Sequence, residues 1–70
     1  MKEKNMLMMM IYNDYDVQYG RLSLARIDKT LKFSKKRYQV HNNENLGQSE
    51  VFEELEVAVD KFLEWKAKLR

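Results

Sequence analysis

The hydrophobic period of this chain changes once along its 70 residues, and that change limits the folds open to it. Up to about residue 52 the apolar side chains alternate or run together. Beyond it, Leu55, Ala58, Val59, Phe62, Trp65 and Leu69 fall at steps of three and four. Alternation is the mark of a strand, and a period of about 3.6 is the mark of a helix. The C-terminal stripe therefore predicts an amphipathic helix over 53–70 that must bury one face against whatever precedes it. Acids crowd its first turns and Lys66, Lys68 and Arg70 its last, as the helix macrodipole favours. Glu64 and Lys68 add an i,i+4 pair worth about 0.3 kcal/mol. Strands followed by one helix predict an α+β fold: a small antiparallel β-sheet of three to four strands in a meander, with the C-terminal amphipathic helix packed on one face.

The strands are read in turn. Met6 to Tyr12 is a continuous apolar run closed by Asn13 and Asp14, which suits a strand covered on both faces, although methionine also favours helix. Residues 1–5 are polar without a period and read as a frayed tail, so the compact domain is expected over 6–70. Residues 13–20 read as a turn-rich connection with Tyr15, Val17 and Tyr19 as anchors and Gly20 supplying a bend or bulge. A second strand is expected over 21–33, with a slip in parity. Leu22 and Leu24 share one face, whereas Ala25, Ile27, Leu31 and Phe33 share the other, so a bulge or turn near 24–25 or 28–30 is expected. Strands near 37–42 and 48–52 follow, separated by Asn42-Asn43-Glu44-Asn45-Leu46-Gly47, residue types that tolerate turns.

Composition bounds the class. A chain of 70 residues with 44% apolar content has material for one small core. It has no cysteine, so packing or self-association must supply what disulfides and thiolate metal sites supply elsewhere. No apolar stretch approaches the roughly 18 residues of a membrane span, and a cytoplasmic setting is expected.

Charge is sorted by position. From Arg21 to Arg37 seven bases face one acid, and from Glu44 to Glu64 seven acids face one base. The net charge is only +2, which hides this sorting. Arg26, Lys32, Lys35, Lys36 and Arg37 are candidates to neutralise phosphates from a basic hairpin over 21–37, with Tyr38 and Phe33 as candidate stackers. The alternative is a solvated, edge-protecting set of lysines with both aromatics in the core. Glu53, Glu54 and Asp60 are candidates for contact with a basic surface of a protein, although helix N-termini attract acids in any case. Glu56 and Asp60, spaced i,i+4, should repel slightly. The methionine cluster Met8, Met9, Met10 is a candidate homodimer contact through residues 6–12, the alternative cover being the 13–20 connection.

Catalysis is not expected. His41 is the single histidine and has no nucleophile or second ligand at useful spacing, so catalytic, metal and cofactor sites are all expected to be absent. Gly20 and Gly47 stand alone, so no glycine-rich phosphate loop is formed. In layout, a sheet of three or four antiparallel strands followed by a helix resembles the arm-site DNA-binding domains of phage-type integrases. The similarity lies around Val51-Phe52-Glu53-Glu54-Leu55-Glu56-Val57-Ala58-Val59, and it implies a sheet that reads a groove. In size and composition the chain also resembles phage-encoded inhibitors of host nucleases, including anti-CRISPR proteins.

These features together lead to one expectation. The chain is a small noncatalytic binding module that uses the basic hairpin to engage nucleic acid or a nucleic-acid-processing complex. The alternative is a protein-binding inhibitor or accessory factor that docks its acidic helix face and basic hairpin on a nuclease.

Overall fold

The computed structural model describes residues 2–27, 36–43 and 48–68. Its elements run α1 (Lys2–Tyr12), β1 (Val17–Tyr19), β2 (Leu22–Ile27), β3 (Arg37–Asn42), β4 (Ser49–Phe52) and α2 (Leu55–Lys68). The four strands form one antiparallel sheet in the order β1-β2-β3-β4, a meander, and α2 packs against it. The α+β architecture expected from the change of period is therefore present.

The first element corrects the sequence reading. Residues 6–12 are not a strand and residues 2–5 are not a frayed tail, because both belong to α1. A run of Met and Leu carries high helix propensity, and Ile11 is the single β-branched residue in it. Continuous apolarity hides the period, which emerges only from burial. Leu7 and Ile11, one turn apart, enter the core, while Met6 and Met9 stay 58% and 65% exposed.

Helix α1 ends in a Schellman motif. The Asp14 N–H donates to the Ile11 carbonyl at 2.9 Å, and the Tyr15 N–H donates to the Met10 carbonyl at 3.0 Å. Asp14 holds the left-handed position with φ of 64°, where glycine is usual. The next segment is also more regular than expected, since Val17–Tyr19 is a strand rather than part of a loose connection. Tyr19 pairs with Leu22, leaving Gly20 and Arg21 as a two-residue hairpin turn with positive φ (58°) at its first position, the II′ pattern.

Strand β2 pairs with β3 without interruption from Leu22↔Asn42 to Ile27↔Arg37. No bulge occurs at 24–25, and the other expected site, 28–30, lies outside the described residues. The parity slip has a different cause: Leu22 and Leu24 face the helices, and Ala25 and Ile27 lie on the opposite face of the sheet, which no described element covers. An apolar residue on each face mimics a change of register.

Both helices lie on one face. Leu7 and Ile11 of α1 and Ala58, Val59 and Phe62 of α2 join Val17, Leu22, Leu24, Tyr38 and Val40 in a single core, with Leu55 and Trp65 packed against it. Full burial of one such side chain contributes about 1.5–3 kcal/mol, so α1 adds a real share of the core that α2 alone would leave open.

Candidate binding surface

Strand pairing places the functional candidates. On the inner parity Arg26, Tyr38 and Phe52 lie side by side. On the outer parity the rows are Gln18, Ser23, His41 and Ser49, then Ala25, Gln39 and Val51, then Ile27 and Arg37. Among the described residues no element covers this outer face. Its middle row sets Gln39 between the apolar Ala25 and Val51, and Gln39 donates through Nε2 to Ser49 Oγ at 2.7 Å. His41 stands there among hydroxyls and amides, with no group of three His, Cys, Asp or Glu able to hold a metal among the described residues.

Two of the predicted nucleic-acid contacts are displaced by this geometry. Tyr38 is only 7% exposed and belongs to the core, so it offers no ring to a base. Arg26 points to the same inner side. Its side chain is 13% exposed and its Nη1 donates to Asp14 Oδ1 at 3.3 Å, which ties the cation to the end of α1. Arg26 Nε is buried and has no hydrogen-bond partner among the described residues. Lys32 and Lys35, with Phe33, fall outside the described residues.

Lys36 and Arg37 are exposed where β3 begins. Lys36 Nζ stands 5.4 Å from the ring centroid of Tyr12, the last residue of α1. Because Ile27 pairs with Arg37, the end of β2 and the start of β3 lie at this same end of the sheet.

The acidic candidates sit at that end as well. Strand β4 finishes at Phe52, beside Tyr38, and Glu53 and Glu54 follow it directly into α2. Of the two charge runs, Lys36 and Arg37 are thus neighbours in space of Glu53 and Glu54. Asp60, although exposed, is already engaged within the fold: Lys4 Nζ lies 2.9 Å from Asp60 Oδ1 and 3.2 Å from Glu56 Oε1. Lys4 explains the like-charge spacing of Glu56 and Asp60: one ammonium from α1 bridges both. Sequence reasoning missed this residue because its partners lie more than fifty positions away.

The same helix pair is linked a second time, by Lys66 to Glu3, and the Lys66 ammonium also lies 4.6 Å from the Tyr19 ring centroid. The hydrogen bond to Asp60 leads in raising Lys4 above its ordinary value of 10.5, opposed by partial desolvation. Lys66 is raised chiefly by its hydrogen bond to Glu3. Within α2 Lys61 and Glu64 meet at 3.0 Å, which raises the lysine and lowers the glutamate. The Glu64 to Lys68 pair expected from the sequence is present at 3.7 Å.

The methionine candidates separate on α1. Met8 and Met10 pack partly against the core and only Met9 of the three is exposed, so the expected contact through all three is corrected. Strand alternation would have put Met8 and Met10 on one side and Met9 on the other; the helix instead exposes Met9 with Met6 and Tyr12.

No described helix is long and apolar enough to cross a membrane. Compared with models of known protein families, with curated proteins and with solved structures, the chain matches nothing.

Proposed function

We propose that the chain is a small noncatalytic binding module of the cytoplasm that engages nucleic acid, or a complex that processes it, through the end of the β2–β3 hairpin. Supporting this reading is the placement of both helices on one face, with Arg37 exposed at one end of the face that no described element covers and Lys36 exposed beside it on the α1 side. The basic residues Lys29, Lys32 and Lys35 of the segment between Ile27 and Lys36 belong to this reading by sequence. Cations at a sheet end meet phosphates, while Gln39, Ser23 and Ser49 on the adjoining rows offer hydrogen bonds to groove edges. Arg26 and Tyr38 have no part in it.

The test is charge reversal at the two exposed bases. Lys36→Glu with Arg37→Glu is expected to weaken polynucleotide binding roughly tenfold or more at low salt and to lower the slope of log affinity against log salt by about two contacts' worth. Unchanged affinity and slope in a folded variant would exclude the reading.

A second reading has its own support. Because Glu53 and Glu54 adjoin the basic hairpin end, this part of the surface carries both signs, which suits a protein partner bearing both signs better than a bare polyanion. In that case the chain is an inhibitor or accessory factor of phage or mobile-element type, docking on a nucleic-acid enzyme. A single protein captured by the chain, and lost when Glu53 and Glu54 become glutamine, would favour it.

A further inference from the structure

We infer, resting on the nucleic-acid reading of the hairpin end, that Tyr12 and Lys36 together form a site for an unpaired base and its phosphate, so that the preferred ligand is a single strand. Tyr12 is the last residue of α1, and at 73% exposure it keeps most of its ring open to solvent. Lys36, where β3 begins, sets its Nζ 5.4 Å from the centroid of that ring. Arg37 follows it and pairs with Ile27 at the end of the sheet. Two elements far apart in sequence thus bring an exposed phenol ring beside the two exposed bases. The nearby Asp14 carboxylate has its charge offset by Arg26.

The chemistry of the pair selects the ligand. A nucleotide carries a flat base and a charged phosphate on one sugar, so a ring with a cation beside it meets both at once. In a duplex each base is already covered by its neighbours above and below, and an exposed ring gains nothing from it. Only a base freed from the stack can lie on Tyr12. The uncovered face of the sheet offers such a base no tyrosine, phenylalanine or tryptophan among the described residues, since Tyr38 and Phe52 are on the inner parity. A second lysine stands over a tyrosine elsewhere: Lys66 Nζ is 4.6 Å from the Tyr19 ring centroid. There the ammonium is already hydrogen-bonded to Glu3, which leaves it less charge to give a phosphate. That pair is the internal control.

Binding is measured by fluorescence anisotropy with oligodeoxythymidylate and oligouridylate of about ten nucleotides, a DNA duplex of the same length, and a strand with abasic sites in place of the thymines. The parent is expected to bind the single strands about fivefold or more tighter than the duplex. Tyr12→Ala should lose about fivefold or more on the single strands, with the salt slope unchanged because the phenol carries no charge. On the abasic strand it should bind as the parent does, and Tyr12→Phe should keep the parent's affinity throughout. Tyr19→Ala should bind like the parent, and far-ultraviolet circular dichroism checks that each variant is folded. A loss on either single strand supports the site, and the tighter of the two names the sugar. Tyr12→Ala binding both single strands like the parent, or weakened equally on the abasic strand, overturns the inference, while charge reversal at Lys36 and Arg37 still judges the hairpin reading separately. A parent that binds no polynucleotide overturns both.

Discussion

Asp14 shows how much one residue carries. It closes α1 from a left-handed conformation that costs an L-residue about 1–2 kcal/mol, a conformation that glycine adopts without strain. By helix-capping rules alone Asp14→Gly should stabilise the protein. The Arg26 guanidinium reverses that expectation: it is nearly buried, and Asp14 Oδ1 accepts its hydrogen bond. Leaving a buried polar group without its partner costs about 1–3 kcal/mol and more for a charged one, which outweighs the relief of strain. Asp14→Gly is therefore expected to be less stable than the parent in chemical denaturation, and Asp14→Asn, which tolerates the conformation and keeps an acceptor oxygen, to fall between them. A glycine variant more stable than the parent would show that the Arg26 contact contributes less than the strain it offsets. The same residue explains why Arg26 misled the sequence reading, since a basic residue in a basic run gives no sign that its acid lies twelve positions earlier.

At the scale of elements, the two helices are fastened to each other as well as to the sheet. Lys4 reaches Asp60 and Glu56, and Lys66 reaches Glu3, so both ammonium groups are held above their ordinary value of 10.5. A group whose folded pKa is raised contributes stability that is complete below its unfolded value and is lost as pH rises through the folded one. Replacing Lys4 and Lys66 together by methionine should lower the melting temperature by a constant amount from neutral pH to about 10, and the gap should close at higher pH. A gap that stays the same through strongly alkaline solution would mean that the ion pairs contribute nothing. These links also account for α1 itself: Lys4 and Glu3, residues that read as a polar tail, are ordered because α2 supplies their counter-charges.

Over the whole molecule, the described end of the basic run, Lys36 and Arg37, comes together with Glu53 and Glu54 of the acidic run. The meander brings the start of β3 beside the end of β4, and α2 begins directly after β4. Under the nucleic-acid reading, exposed carboxylates next to the basic end weaken its field. Glu54→Gln is thus expected to tighten polynucleotide binding roughly threefold at low salt, with the gain fading as salt screens it. Under the protein-docking reading the same change weakens capture of the partner instead, so the sign of the effect separates the two.

The sequence by itself determined the local features. Helix α2 was legible because its apolar stripe repeats at the helical period, and β3 because Tyr38 and Val40 alternate with polar neighbours. The turn at Gly20 and the pair Glu64 and Lys68 are likewise local. Only tertiary structure decided that Met6–Tyr12 is helical, since an apolar run has no period until one side of it is buried against Val17, Leu22 and Phe62. It alone decided that Arg26 turns inward and that Lys4 binds two acids of α2. The physical reason is distance along the chain: propensity and period act between near neighbours, whereas burial and ion pairing join residues that only the completed fold brings within reach.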